Sequence, residues 1–242
     1  MGKGQRFKTA FILGAGLGTR LRPLTLRCPK PLLDLGGRPV ITHAMDHLLS
    51  VGIERFIINT HHCPDVYLER FPDRQWRGAP IIFRHEPVLL DTAGGMKNIE
   101  DLLDGDQSVL CYNGDIIADF PLQGLLQFHK QKQPEATMVL RSRGHLLNVS
   151  LNAENGICDL RHMLNNPGVK DYQFACIYAV ETSILEHISP GKPETIVNVF
   201  LQRIFKRPGS IMGFVIDEGN WYDIGSVEEY NRLRARMDDA GK

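Results

Sequence analysis

The stretch Phe11–Leu33, FILGAGLGTRLRPLTLRCPKPLL, decides how this chain is read. An apolar run, Ala10 to Leu13, feeds a glycine-spaced loop, Gly14-Ala15-Gly16-Leu17-Gly18-Thr19, and the cations Arg20, Arg22 and Lys30 follow. A strand that empties into such a loop brings backbone N–H donors close to a ligand, because glycine has no Cβ to hold it off. With fixed cations just beyond, the stretch reads as an anion cradle. In Pro29-Lys30-Pro31 two prolines hold the backbone on either side of one lysine, which reduces the entropy lost in placing its ammonium. Preorganised cations are what phosphoryl-type transfer asks for.

Two common phosphate loops do not fit. In a dinucleotide fingerprint the third glycine comes three residues after the second and an acidic residue ends the next strand; here Gly18 comes two after Gly16, and no acid follows. A Walker loop ends in Gly-Lys-Ser/Thr, whereas this one ends Gly18-Thr19-Arg20.

Outward from the loop, Val40, Ile41, Ala44, Met45, Leu48 and Leu49 recur at helical spacing, and Gly52 stands where a C-terminal cap belongs, so Pro39–Ser50 reads as an amphipathic helix. Arg55–Thr60 reads as a buried strand, which makes a parallel βαβ unit. Further strands are expected at 79–83, 108–112 and 136–141, with helices near 97–103 and 122–131. Strands alternating with helices imply an α/β fold: a Rossmann-like, mostly parallel sheet covered on both faces. Beyond Arg141 the texture changes to short strands, 148–151 and 157–160, around an Asn155-Gly156 turn, a small hairpin-rich subdomain. A run at 174–180, a helix at 194–205, a strand at 211–216 and a charged helix at 226–237 complete the chain. One domain is expected, with 8–141 as the nucleotide side, 142–225 as the sugar side and 226–242 as a C-terminal helix. His43 and His47 share a helix face and His61 and His62 end a strand; all four read as solvated rather than metal-bound.

Composition narrows the class. Lys and Arg number 28 against 28 Asp and Glu, which argues against wholesale nucleic-acid binding, and 43% hydrophobic residues is ordinary for a globular domain. The five scattered cysteines form no C-x-x-C pair, so neither a disulfide framework nor a zinc knuckle is favoured and a cytoplasmic protein is expected. No apolar run reaches membrane-spanning length, and the short polar start suggests a soluble, unprocessed chain.

GAGLGTRLRPLTLRCPKPLL resembles the signature of the sugar-1-phosphate nucleotidylyltransferases, G-x-G-T-R-L-x-P-L-T followed by P-K-P. Three further segments are similar in the same order: Leu90-Asp91-Thr92-Ala93-Gly94-Gly95 to the loop that meets the base, Asn113-Gly114-Asp115 to the acidic turn after the fourth strand, and Trp221-Tyr222-Asp223-Ile224-Gly225-Ser226 to the W-x-D-x-G-T element before the last helix. In length the chain resembles the short members, such as N-acetylmuramate 1-phosphate uridylyltransferases and mannose or heptose 1-phosphate guanylyltransferases. It stops soon after the Asp223 helix, with no β-helix or acetyltransferase extension expected.

The resemblance implies an enzyme that transfers a nucleotidyl group from a nucleoside triphosphate, UTP or GTP, to a sugar 1-phosphate, as a monomer or homodimer. Arg20 would neutralise the leaving pyrophosphate and Lys30 the α-phosphate and the incoming sugar phosphate. Leu13, Gly14, Ala15, Gly16, Gly18 and Thr19 would line the nucleotide, Thr92, Gly94 and Gly95 would approach base and ribose, and Asn113 would serve nucleotide and sugar. Asp115 and Asp223 would share Mg²⁺, with Asp119 in reserve. A sugar phosphate is already an anionic nucleophile, so no general base is required. The sugar end departs from the family: no Glu-Lys-Pro segment occurs between Asn148 and Tyr172, and Phe174-Ala175-Cys176-Ile177 replaces F-S/T-G-I. Cys176 and Ile177 would meet the sugar, and if the position requires φ > 0 or close approach, Cys176 narrows the pocket. Two other readings compete. One is a non-catalytic nucleotide-sugar sensor; the other is a phosphocholine cytidylyltransferase, with Tyr172, Phe174 and Tyr178 as a cage for a quaternary ammonium.

Overall fold

The structure, a computed structural model, describes residues 7–103 and 105–240. In chain order the strands are β1 (Thr9–Leu13), β2 (Asp34–Leu35), β3 (Arg38–Pro39), β4 (Arg55–Thr60), β5 (Gln75–Trp76), β6 (Ala79–His85), β7 (Ser108–Asn113), β8 (Ile116–Ala118), β9 (Ala136–Arg141), β10 (Val149–Leu151), β11 (Ile157–Leu160), β12 (Lys170–Glu181), β13 (Ile211–Val215) and β14 (Trp221–Asp223). The helices are α1 (Ile41–Leu49), α2 (Pro64–Arg70), α3 (Asp91–Lys97), α4 (Gln123–Lys132), α5 (Ile196–Lys206) and α6 (Val227–Ala240).

Strand β1 is central because its side chains are apolar on both faces. It pairs in parallel with β4 on one side and β7 on the other, with Phe11 opposite Ile57 and Cys111. Successive side chains point to opposite faces. Ile12 therefore joins Met45, Leu48, Tyr67 and Leu125 under α1, α2 and α4, while Phe11 joins Met96, Val199 and Phe200 under α3 and α5. The long strand β12 runs antiparallel to both β7 and β9, and β9 continues in parallel to β13, which gives the mixed, mostly parallel sheet with helices on both faces. The α/β expectation holds.

The hairpin β10–β11 forms as expected, with Asn155 left-handed at its turn (φ 65°). It is an extension of the main sheet, since β10 pairs with the first residues of β12. The helix expected near 97–103 is displaced: α3 begins at Asp91, and only a 3₁₀ turn, Glu100–Leu102, lies in the expected range. The resemblance placed a loop at 90–95, but the two glycines lie in α3 and serve close packing. A Cβ on Gly94 would lie 2.5 Å from the Lys192 carbonyl, and the Ala93 and Gly94 N–H groups donate to the Glu194 carbonyl at 2.8 and 3.2 Å. A third apolar cluster, including Leu21, Leu33, Ile117, Ile224 and Tyr230, seats α6 against the strand ends.

Candidate active site between two cavities

The loop after β1 is organised from below. The buried Asn59 on β4 accepts the Gly14 N–H at 2.7 Å and donates to Glu86 at 2.7 Å; Glu86, fully buried, also accepts the Leu90 N–H at 3.0 Å. The Tyr67 hydroxyl donates to the Gly14 carbonyl at 2.9 Å. Both peptide groups of Gly14 are thus spent inside the protein, and a Cβ there would fall 2.7 Å from the Tyr67 hydroxyl. Gly14 is a packing glycine. Gly16 differs: nothing lies within 4 Å of its would-be Cβ, and no hydrogen bond among the described residues uses the N–H of Ala15, Gly16, Leu17 or Gly18. The bare donors for an anion are therefore these, one residue further along than Gly14. Gly18 is left-handed (φ 60°), its carbonyl accepting from the Thr25 hydroxyl at 2.7 Å, and it starts the 3₁₀ turn Thr19–Leu21 that carries Arg20.

Above this loop lies a cavity of ≈ 290 Å³ lined by Leu13, Gly14, Ala15, Gly16, Lys30, Asn59, Asp91, Thr92, Asn113 and Asp115, among others. Gly18, Thr19, Gly94 and Gly95 do not line it. A Cβ on Gly95 would meet Glu86 at 2.7 Å and Asn59 at 2.8 Å, so this glycine leaves room for the polar pair beneath the loop. The Thr92 hydroxyl accepts the Ile196 N–H at 2.7 Å, which docks α3 on α5.

Asp115 and Asp223 are brought together by sheet register. Strands β8 and β14 pair antiparallel with Asp223 opposite Ile116, and the Ile224 N–H donates to the Asp115 carbonyl at 3.2 Å. The Lys30 ammonium forms an ion pair with Asp115 and donates to the Ile224 carbonyl at 3.1 Å. Burial first, and then the Asp115 carboxylate, holds Asp223 above the usual carboxylate range, against Lys30 and Arg20, which pull it down. Two carboxylates of like charge in one place favour a cation between them. Among the described residues no group of three or more His, Cys, Asp or Glu converges as a metal cage. A two-carboxylate set suits a hard cation that completes its shell with phosphate oxygens and water.

On the other side of this pair lies a cavity of ≈ 580 Å³. Arg20, Cys176, Trp221, Asp223 and Glu229 line it, above an apolar floor of Met138, Val149, Leu160, Phe174 and Val197. Arg20 thus faces this larger cavity and not the glycine cleft. Cys176 sits where β12 breaks register between Phe174 and Tyr178, and its φ is 59°, the left-handed backbone that glycine adopts without strain. Its thiol is held well above the ordinary value by burial first, then by the Asp115 and Asp223 carboxylates. The Trp221 indole N–H donates to the Ala175 carbonyl at 2.9 Å and pins this bulge to β14. Ile177 corrects the sequence reading: it is fully buried in the core and lines neither cavity.

Other expectations need revision. Asp119 lies away from the Asp115–Asp223 pair and accepts two hydrogen bonds from Asn220 at 2.6 Å each. His47 is no solvated residue: its ring bonds the Tyr112 hydroxyl at 3.1 Å and the Phe120 carbonyl at 2.6 Å, and burial lowers its pKa. His43 bonds Arg38 and the Leu35 carbonyl, while His61 and His62 bond the Glu86 and Thr25 carbonyls. No aromatic cage forms, since Tyr178 is buried edge-on against Phe200 with ring centroids 5.7 Å apart, and Lys170 covers Tyr172. Sequence reading missed Asn59, Tyr67 and Glu86. A signal existed for Asn59, a polar residue inside the apolar run RFIINT, which must find partners if buried.

A family model described as Nucleotidyl transferase matches residues 9–148. Mannose-1-phosphate guanylyltransferase of Mycobacterium tuberculosis is 30% identical over 94% of this chain and 64% of its own length. Mannose-1-phosphate guanyltransferase of Emericella nidulans is 32% identical over 91% of this chain and 62% of its own length. The chain therefore spans less than two thirds of these relatives. Among solved structures, a putative glucose-1-phosphate thymidylyltransferase from Bacillus anthracis superposes with a TM-score of 0.81 at 21% identity, over 97% of this chain and 96% of that one. HddC from Yersinia pseudotuberculosis, solved in complex with GMP-PN, gives 0.77 at 19% identity over 96% and 100%. These share the fold seen here. The open Gly16 donors, the lysine between two prolines and the paired carboxylates lie on a scaffold whose first half matches that model, and the chain belongs to the nucleotidyl transferase family.

Proposed function

We propose that this chain transfers a nucleotidyl group from a nucleoside triphosphate to a sugar 1-phosphate and releases pyrophosphate. One observation carries the reading: Lys30 and Asp115 line the smaller cavity, Asp223 and Ile224 the larger, and the Lys30 ammonium bridges Asp115 and the Ile224 carbonyl at the seam. Two substrates held in the two cavities meet there. The triphosphate lies over the free N–H groups of the glycine loop, with Leu13, Thr92 and Asn113 around it, and the sugar lies on the Cys176 side.

A sugar-phosphate oxygen attacks the α-phosphorus in line; the new P–O bond forms as the bond to the β-phosphate oxygen breaks, and pyrophosphate leaves. The nucleophile is already an anion, so catalysis reduces to alignment and charge neutralisation. Lys30 exchanges Asp115 for phosphate oxygens as substrates enter, and Arg20, which lines the larger cavity and has no ion pair among the described residues, offsets phosphate charge at the seam from that side. Asp115 and Asp223 would hold magnesium, which would offset the negative charge of the triphosphate. The names of the relatives favour guanosine over uridine triphosphate. Residues 8–141 supply the nucleotide side and 142–225 the sugar side, with the helix in 226–242 closing one wall.

The test is pyrophosphate release from a matrix of the common triphosphates against hexose, amino-sugar, N-acetylmuramate and heptose 1-phosphates, with and without magnesium. Absence of release from every pair, or near-normal release by Lys30→Ala, overturns the reading.

A further inference from the structure

The sugar-side cavity is the larger of the two, ≈ 580 against ≈ 290 Å³, although a nucleotide is bulkier than a hexose phosphate. Its charges are also out of balance. Arg20, Arg161, Arg232 and Arg236 line it against only Asp223 and Glu229. Asp223 belongs to the seam, and Glu229 already accepts the Gly225 N–H at 3.0 Å. Arg236 donates to the Tyr222 hydroxyl at 2.7 Å and stacks on that ring. Arg161 and Arg232 have no ion pair among the described residues.

The backbone that presents Arg161 is fixed by its surroundings. Arg161 follows β11, and both it and His162 are left-handed (φ 58° and 57°), a strained pair for residues with side chains. Its N–H donates to the Asn148 carbonyl at 2.7 Å. The nearby buried acid, Asp159, does not compensate it: that carboxylate accepts the N–H groups of Leu164 and Asn166 at 3.1 and 3.2 Å, and so fixes the turn. Arg232 stands on α6, the wall contributed by another part of the chain. Asn148, Gln173 and His145 also line the cavity and can meet sugar hydroxyls, but they carry no fixed charge, so recognition of an anionic group is left to the arginines.

We infer that the sugar 1-phosphate taken by this site carries a second anionic group, a carboxylate or a second phosphate, held between Arg161 and Arg232. The inference rests on the nucleotidyl-transfer reading and names the substrate class for it. Planar guanidinium groups brought to one cavity by two different elements suit such an oxyanion, because each offers parallel N–H donors to it.

The test compares kcat/KM for glucose 1-phosphate and mannose 1-phosphate, which are neutral beyond the transferring phosphate, with glucuronic acid 1-phosphate and glucose 1,6-bisphosphate. Expected is a preference of about tenfold or more for one or both anionic sugars, which Arg232→Ala removes while turnover of the neutral sugars stays within about twofold. Arg161→Ala should act in the same direction, and Arg232→Lys should restore part of the preference. Preference for the uronic acid alone identifies a carboxylate as the second anion, and preference for the bisphosphate alone identifies a phosphate. Neutral sugars used as well as either anionic one, or an Arg232→Ala loss equal for both classes, overturns the inference and leaves nucleotidyl transfer standing. Absence of pyrophosphate release with every sugar and every triphosphate overturns both.

Discussion

The two cavities that meet at Lys30 are built by opposite means. The glycine cleft is shaped by backbone, and that backbone is locked from below by a buried chain of side chains, Tyr67, Asn59 and Glu86, of which only Asn59 reaches the cavity lining. The larger cavity is lined by long side chains from several elements, and among the described residues Arg20, Arg161 and Arg232 on its lining have no ion pair. A backbone site recognises what all nucleoside triphosphates share, so its residues form motifs. A side-chain site stores substrate choice in residue identity, which a motif shared by many substrates cannot encode. That contrast explains why the glycine loop was legible in the sequence and the arginines of the larger cavity were not.

The most damaging change strikes the seam. Lys30→Ala should lower pyrophosphate release by roughly a hundredfold to a thousandfold while leaving the circular dichroism spectrum intact, because one preorganised charge is removed from the reacting phosphates. A loss confined to the sugar KM would instead assign Lys30 to one cavity and break the comparison.

Next come two glycines of one loop. Gly14→Ala should destabilise the protein by about 2 kcal/mol in urea titrations, since its Cβ would press on the Tyr67 hydroxyl and the Asn59 carbonyl at 2.7 and 2.8 Å. Gly16→Ala meets nothing within 4 Å and should leave stability within about 0.5 kcal/mol while raising the triphosphate KM. Equal stability losses in the two variants would show that the loop is not divided into a packing half and a binding half.

A control away from both cavities sharpens the contrast. Arg203 donates to both Glu135 oxygens at 2.7 Å and, as the main cause, holds that carboxyl below its usual value. A depressed carboxylate stabilises the fold above its unfolded pKa, and this contribution is lost as pH falls through the lower folded value. Glu135→Gln should therefore cost about 2 kcal/mol at neutral pH, with the difference from wild type shrinking on acidification, and should leave kcat unchanged. A difference independent of pH would show that the ion pair is not its source.

The smallest effect is expected at Cys176→Gly. Relief of the left-handed backbone offsets the lost burial of the thiol, so stability should change by less than about 1 kcal/mol while the range of sugars accepted widens. An unchanged sugar profile would exclude Cys176 as the residue that narrows the pocket.

Some of the site was legible without coordinates because its causes are local. Strand period, the spacing Gly14-Ala15-Gly16-Leu17-Gly18 and the prolines around Lys30 act through the few residues beside them, and the sheet, the loop and the lysine were found where those patterns put them. The Gly94-Gly95 pair was misread as a loop because helix packing against Lys192 and Glu194, far along the chain, decided its conformation. Ile177 was misassigned because which face of β12 is core depends on a register break that the sequence does not mark.

By itself, then, the sequence determined the mostly parallel α/β scaffold, the glycine loop after the first strand and the separate positions of Asp115 and Asp223. Only the tertiary structure decided that β8 and β14 pair so as to bring those carboxylates to one lysine, that Gly14 and Gly16 have different surroundings, and that Arg161 and Arg232 line one cavity with no ion pair among the described residues. The reason is physical. Local backbone preference is set by neighbouring residues, whereas register and side-chain pairing between distant segments are set by which buried faces pack together.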